Sequence, residues 1–450
     1  MYALKLRATM TLHTADVPVK MALPMSDALT KPDPYAPWRN RDFRHYACSW
    51  FAMTFSKQIE TLAVSVHFVN IYDRVDAPLA LGAMGLVQAL PVMLLAIAGG
   101  QLADRFDRRR VMMATFALGI LSSAGLLAVA LLDGSVPWIF LLLGVGAVGQ
   151  ALNSPSRSAM LPQLVPTGLF SNAVAWNSSV FYVAAVTGPA IGGVIVASSA
   201  SLAPAFAVVM ACRLLAVAAI ALMRYRQADR SDQSISWESV VAGIRFVWNA
   251  KLILATITLD MFAVLLGGAT YLLPIYAKDI LHVGPSGLGF LRSADAVGAV
   301  CMATLLAHLP PMRRAGVMLL WAVAGYGAAW IIFGVSQWFW LSLLMMFLIG
   351  ALDNISVVVR HTLVQMLTPD EMRGRVSAVH GVFIVTSNDL GGLESGLTAW
   401  LFGPVRSVVL GGVGTILVVL GAMRLWPQLL TLGSLGAIRP ASAEEPSHVA

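Results

Sequence analysis

The amino-acid sequence predicts an all-α membrane protein with twelve transmembrane helices arranged as two pseudo-symmetric six-helix halves. Three observations predict it. Charged residues make up 12% of the chain and hydrophobic residues 58%, about half the charge of a soluble domain. Apolar runs recur that are far longer than the roughly 10 residues of a membrane barrel strand, so helix is the reading that satisfies the backbone in lipid. Finally, Arg157 and Arg360 lie 203 positions apart, as do Leu164 and Leu367, Pro166 and Pro369, Gly188 and Gly391, and Gly193 and Gly396. A parallel repeat of six helices builds two halves that rock about a central site.

The elements follow in order. Residues 1–44 are polar and carry Lys5, Arg7, Lys20, Lys31, Arg39, Arg41 and Arg44 without an apolar segment; they read as a disordered cytosolic tail. The first half, 45–223, holds apolar spans at His45–Ile71, Leu79–Ala103, Val111–Leu132, Trp138–Asn153, Phe170–Ala197 and Leu202–Met223. In the linker, 224–251, Trp237, Val240, Val241, Ile244, Val247 and Trp248 recur at helical spacing, which predicts an amphipathic helix on the membrane surface. The second half, 252–426, holds spans at Leu252–Ala277, Leu288–His308, Ala315–Val335, Trp338–Val359, Val376–Trp400 and Val405–Trp426, and 427–450 reads as a cytosolic tail.

Orientation comes from the loops. Arg105, Arg108, Arg109 and Arg110 follow the second span. Arg224, Arg226, Arg230, Arg245 and Lys251 follow the sixth, Arg313 and Arg314 the eighth, and Arg360, Arg373 and Arg375 the tenth. The alternate loops hold little beyond Arg74, Lys278 and Arg406. Basic loops stay in the cytoplasm, so both termini are expected inside the inner membrane. The net charge of +7 is spent on these short loops, which argues against a nucleic-acid partner.

Ionisable groups at membrane depth are costly and therefore candidates for function. Lys57 and Glu60 share a face of the first span, and Asp260 stands 203 positions beyond Lys57. Lys57 therefore has two acids to choose from, Glu60 beside it or Asp260 across a central cavity. Protonation of either carboxylate would break such a pair, which makes Glu60, Asp260 and Lys57 the proton-coupling candidates. Asp295 has Arg292 one turn away, and Asp353 has Arg360 and Arg375 as candidate partners. Arg157, Arg360, Arg213, Asp295, Asp353, Asp389 and Glu394 complete the gating and cavity candidates.

Two motifs carry a mechanical reading. Gly100-Gln-Leu-Ala-Asp-Arg-Phe-Asp-Arg-Arg-Arg110 joins the second and third spans. Gly100 permits close helix approach, and Asp104 with Arg105, Arg108 and Arg109 forms a candidate conformational latch. In the fifth span, Gly188, Pro189, Gly192 and Gly193 bare the backbone to a neighbouring helix. The first stretch resembles the signature of the major facilitator superfamily, with Asp107 where that family usually has Gly. The second resembles the superfamily's antiporter motif, with Ala184 where Gly is common.

Three further stretches are similar to the branch that contains the enterobactin exporter and macrolide efflux pumps. They are Arg157-Ser-Ala-Met-Leu-Pro-Gln-Leu-Val-Pro166 with Asn172, Thr368-Pro-Asp-Glu-Met-Arg-Gly-Arg-Val376, and Ser387-Asn-Asp-Leu-Gly-Gly-Leu-Glu-Ser-Gly396. The resemblance implies a major facilitator fold and efflux of a small molecule.

The sequence lacks a phosphate-cradling Gly-x-x-x-x-Gly-Lys-[Ser/Thr] loop and a His-Glu-x-x-His site, and Cys48, Cys212 and Cys301 fit no metal or disulfide spacing. No cofactor, metal or enzymatic activity is therefore expected, and energy is expected from an ion gradient, most simply protons. The expected partners are a small amphipathic or siderophore-like substrate, protons and membrane lipid, on a monomer. A non-transporting sensor or assembly factor and an importer stay open as alternatives on the same fold.

Overall fold

The computed structural model describes residues 33–132, 134–225, 237–310 and 312–433. The polar segment 1–32, the basic residues Arg226 and Arg230 and the last residues of the C-terminal tail lie outside them. Twelve helices of 17 residues or more make up most of the described chain. They are α1 (Arg41–Ile71), α2 (Ala77–Arg105), α3 (Arg108–Leu131), α4 (Val136–Leu164), α5 (Phe170–Ser198), α6 (Ala203–Ala221), α7 (Lys251–Gly267), α8 (Gly284–His308), α9 (Ala315–Val335), α10 (Phe339–Leu367), α11 (Asp370–Phe402) and α12 (Pro404–Leu425).

Among the described residues ten spans are long and apolar enough to cross a membrane, the seventh helix counting only together with the turns that follow it, as Lys251–Ile280. The exceptions are α1 and α11, which carry more polar and charged side chains along their length. Ser49, Ser56, Glu60 and Ser65 on α1 are buried, as are His380, Ser387 and Ser395 on α11.

Local chemistry sets the ends. Asn40 caps α1, its Oδ1 accepting from the Asp42 and Phe43 amides at 2.8 and 3.4 Å, and Asp107 caps α3 by accepting from the Arg110 amide at 3.0 Å. Proline opens α2, α4, α6, α8 and α12, where its missing N–H is not needed. The α11–α12 connection is the single residue Gly403 at φ 87°, a left-handed conformation that excludes most side chains.

Three features depart from the expected elements. Helix starts at Ala36–Arg39 and again at Arg41, inside the stretch expected as a tail. Trp38 packs edge-on against Trp176 at 5.3 Å and Trp176 Nε1 donates to the Pro34 carbonyl at 2.8 Å, so aromatic burial outweighs the local polarity. The seventh span is interrupted. After α7 the chain passes through a 3-10 turn at Ala269–Leu272 and a π-helical turn at Tyr276–Ile280. The linker helix, Trp237–Asn249, docks on the second half as well as presenting an outer face. Val247 is buried with Ile253, Val364, Val376 and Val379, whereas Trp248 and Ile244 are exposed.

The helices pack mainly within two groups, α1–α6 and α7–α12, and the groups meet where α2 crosses α11 and α5 crosses α8. The cores reveal the shape. One continuous cluster joins Ile59, Leu62, Phe68 and Leu81 of the first group to Leu272, Tyr276, Leu288 and Trp330 of the second. At the end bearing the basic loops the cores are separate. Phe43, Tyr46, Met112, Phe116 and Ile220 cluster in the first group, while Leu259, Leu319, Leu363 and Leu429 cluster in the second. The groups are thus fused at one end of the bundle and independent at the other.

Candidate functional site

The two crossings at the fused end are built alike, from bare backbone. A Cβ placed on Gly193 of α5 would lie 2.5 Å from the Pro285 carbonyl oxygen and 3.1 Å from the Gly289 Cα of α8. A Cβ on Gly396 of α11 would lie 2.5 Å from the Pro78 carbonyl oxygen and 2.8 Å from the Gly82 Cα of α2. Gly193 and Gly396 are the repeat-related pair, so the sequence repeat corresponds to a repeated contact. The other glycines of the antiporter-like motif serve the first group internally. Gly188 packs on Gln58 and Phe55, and Gly192 on Ile59. Gly391, the repeat partner of Gly188, packs on Val264 and Leu265 of α7.

Polar links reinforce the fused end. Lys278 Nζ, placed by the π-helical turn, donates to the Val69 carbonyl at the end of α1 at 2.6 Å. Arg74 and Asp279 form an ion pair at 3.5 Å. Both links tie one group to the other. In sequence these residues counted only as sparse charges in the loops opposite the basic ones.

Each group contains a buried ion pair. In the first, Arg213 Nη2 meets Glu60 Oε2 at 2.6 Å, with Glu60 1% and Arg213 4% exposed. Arg213 Nη1 also donates to the Gly119 carbonyl at 2.5 Å. Lys57 Nζ lies 3.5 Å from Glu60 Oε1 and donates to Gln88 Oε1 at 2.5 Å. In the second group, Arg360 pairs with Asp260, and Ser356 Oγ donates to Asp260 Oδ1 at 3.4 Å.

Lys57 therefore takes Glu60 and not Asp260, because Arg360 already occupies Asp260 inside its own group. Gln88, which no sequence signal marked, is the second partner of Lys57. Arg157, repeat partner of Arg360, has no acid at the equivalent place. Its guanidinium lies over the Trp50 ring, 3.7 Å from the centroid, a cation–π contact.

The remaining acids stand apart. Asp389 of α11 accepts from the Tyr271 hydroxyl at 2.8 Å beside the α2 crossing. Asp353 pairs with neither Arg360 nor Arg375, and Asp295 does not pair with Arg292. Among the described residues neither acid enters an ion pair. Arg292 lies within electrostatic reach of Tyr271 instead. Glu394 sits half-buried on α11 with no ion pair among the described residues.

In the loop between α2 and α3, Gly100 is buried and Asp104 and Arg105 close α2. Arg108 Nη1 donates to the Ala159 carbonyl of α4 at 2.9 Å. Arg109 donates to the Ile220 and Ala221 carbonyls at the end of α6 at 3.0 and 2.5 Å, a cation on the negative end of a helix dipole. Among the described residues no cluster of three or more His, Cys, Asp or Glu suits a metal, and all three cysteines are free.

Two helical groups fused by glycine crossings at one end, with charged side chains buried between membrane helices, define a multi-pass membrane transporter of the major facilitator type. The chain belongs to the transmembrane secretion effector family of that superfamily, which it matches over residues 32–432; this is a family of transporters, not of enzymes.

It is 26% identical over 327 residues to the multidrug efflux pump Tap of Mycolicibacterium fortuitum, covering 70% of this chain and 79% of the pump. It is 26% identical over 339 residues to the enterobactin exporter EntS of Citrobacter koseri, covering 74% and 80%. The fold is similar to that of a bacterial homologue of the human lysosomal transporter Spinster in an inward-facing, unoccupied conformation, with TM-score 0.65, 15% identity and coverage of 90% and 98%. It is also similar to the D-xylose–proton symporter, with TM-score 0.63, 16% identity and coverage of 87% and 99%.

Proposed function

We propose that the protein exports a small amphipathic molecule across the inner membrane by proton-coupled antiport, through alternating access of two six-helix halves. Twelve spans with both termini and the linker in the cytoplasm put the basic loops at the open end, so the described state faces inward. One observation carries the reading. The halves share a core at the outer end and keep separate cores at the inner end, which is the geometry of a rocking pair caught in one of two states. The names of Tap and EntS support export as the direction. The protein acts as a monomer surrounded by lipid.

Coupling is assigned to Glu60. Its carboxylate holds Arg213 of α6 and Lys57 of α1 together, and protonation would release both cations at once. Asp260, holding Arg360, is the counterpart in the second half. The test uses everted membrane vesicles in which candidate substrates are added and the internal pH is followed. Substrate-driven proton release is expected from the native protein, and its absence for every substrate class would overturn export. Glu60→Gln, or the better-compensated double variant Glu60→Gln/Arg213→Met, should still insert and fold yet lose the pH response. An unchanged response in both removes Glu60 from the mechanism.

A further inference from the structure

A groove runs along the flank of the bundle where the two halves meet. Ala190 and Ile191 of α5 form one wall, Leu343 and Phe347 of α10 the other, and Phe290 and Ala294 of α8 lie between them. It encloses about 810 Å³, against the roughly 30 Å³ that one water takes up in the liquid. Phe290 follows Gly289 directly, so the groove adjoins the glycine crossing that holds the fused end.

The lining holds two hydroxyls, and both are spent on backbone. Thr187 Oγ1 donates to the Val183 carbonyl at 2.7 Å, and Ser293 Oγ of α8 donates to the Val186 carbonyl of α5 at 2.6 Å. A bound water needs about two to four polar partners, which such walls do not offer. At the mouth, Ile191, Phe290 and Leu344 are 45%, 49% and 51% exposed. All three helices are long and apolar enough to cross a membrane, so at this depth the medium is hydrocarbon. The length fits one leaflet. Phe339 to Phe347 cover about 12 Å at roughly 1.5 Å per residue, close to half of a hydrocarbon core about 30 Å thick. Trp338 and Trp340, at the start of α10 and 64% and 63% exposed, mark the interface on the fused side.

From this arrangement we infer that the groove is a seat for an acyl chain of a phospholipid in the leaflet on the fused side. Lipid tails are as apolar as leucine, so hydrophobic transfer does not draw a chain in. Contact does. A chain on a convex helix face touches protein on one side, whereas in the groove it meets three helices and gains dispersion contacts along its length. One wall belongs to the first half, and α8 and α10 belong to the second. Parting the halves at the fused end would split the seat, so an occupied groove favours the state described here. The chain acts as a wedge shared by both halves, next to the glycine crossing and the Ser293–Val186 hydrogen bond.

The experiment places the full-length protein in phosphatidylethanolamine–phosphatidylglycerol liposomes with a trace of phosphatidylethanolamine carrying a diazirine at the middle of one chain. After photolysis, labelled residues are found by peptide mass spectrometry. Ile191, Phe290 and Leu344 should carry about fivefold more label than Leu417 and Leu420 of α12, a gain that packing contacts can supply. Those controls are 60% and 53% exposed, so exposure by itself predicts the opposite order. Ala294→Phe fills the floor, and Val297→Trp blocks the rim should the first variant fold poorly. Either should bring the label at Ile191 and Leu344 down to the control level. Locking the fused end with a short bis-maleimide between Arg74→Cys and Asp279→Cys should keep or raise the enrichment. Even labelling of groove and controls would overturn the seat, as would an enrichment that survives both filling variants. A fall on locking would show that the seat belongs to the other state, against the wedge. Protection of the groove from label, with a dimer in native mass spectra, would assign it to a second copy of this chain and likewise overturn the proposal.

Discussion

Gly193 and Gly289 meet backbone to backbone, and Gly396 meets Gly82 in the same way on the opposite flank of the bundle. These contacts are where the fused end is held, and van der Waals packing between bare backbones is the main attraction available to helices in lipid. Gly193→Ala or Gly396→Ala would drive a methyl into a carbonyl oxygen and force the helices apart, at about 1–3 kcal/mol. With cysteines replacing the paired Arg74 and Asp279, cross-linking by a short bis-maleimide, which spans more than a disulfide can, should be efficient in the native background and fall in either alanine variant. Unaltered cross-linking would show that the crossings do not hold this end together.

The Glu60–Arg213 pair makes a prediction about stability apart from coupling. Removing either partner leaves the other charge buried with its nearest counter-ion gone, at about 3–5 kcal/mol, although Lys57 stays 3.5 Å from Glu60. Glu60→Gln and Arg213→Met should each lower resistance to unfolding in detergent by amounts of that order. The double variant should lose much less than the sum of the two, and additive losses would mean the charges are satisfied elsewhere.

Lys278 links the π-helical turn to the end of α1. Lys278→Met deletes a charge-assisted bond of about 1.5–3 kcal/mol that ties the two groups together at the fused end. Spin labels at the exposed residues Asp73 and His282 should then report a larger long-distance population than in the native protein. A distribution that does not move would assign the closure to packing alone.

Arg109 caps the C-terminal end of α6 within its own half. Arg109→Gln should lower the thermal midpoint, with a loss of about 1.5–3 kcal/mol, and leave the Asp73–His282 distances as they are. A change in those distances would instead identify Arg109 as part of the switch between states.

Much of the fold was legible in the chain. The ninth span was expected at Ala315–Val335 and α9 occupies the same residues; α12 begins and ends one residue from the expected twelfth span. The repeat also anticipated Gly193 and Gly396 as equivalent. Illegible were the break after Gly267, the docking of Trp38 on Trp176, and the inter-half links from Lys278 and Arg74, for each depends on a partner far away in sequence.

The sequence alone determined that long helices form, that they belong to a membrane protein and which ends carry the basic loops. Hydropathy, helix length and charge placement are sums over neighbouring residues, and a linear chain states them directly. Only the tertiary structure decided that Glu60 takes Arg213, that Asp260 takes Arg360 and leaves Lys57 to Glu60 and Gln88, and that Asp295 and Asp353 enter no ion pair among the described residues. Those outcomes depend on which helix faces lie a few ångströms apart, and packing sets that distance between residues separated by as many as 153 positions.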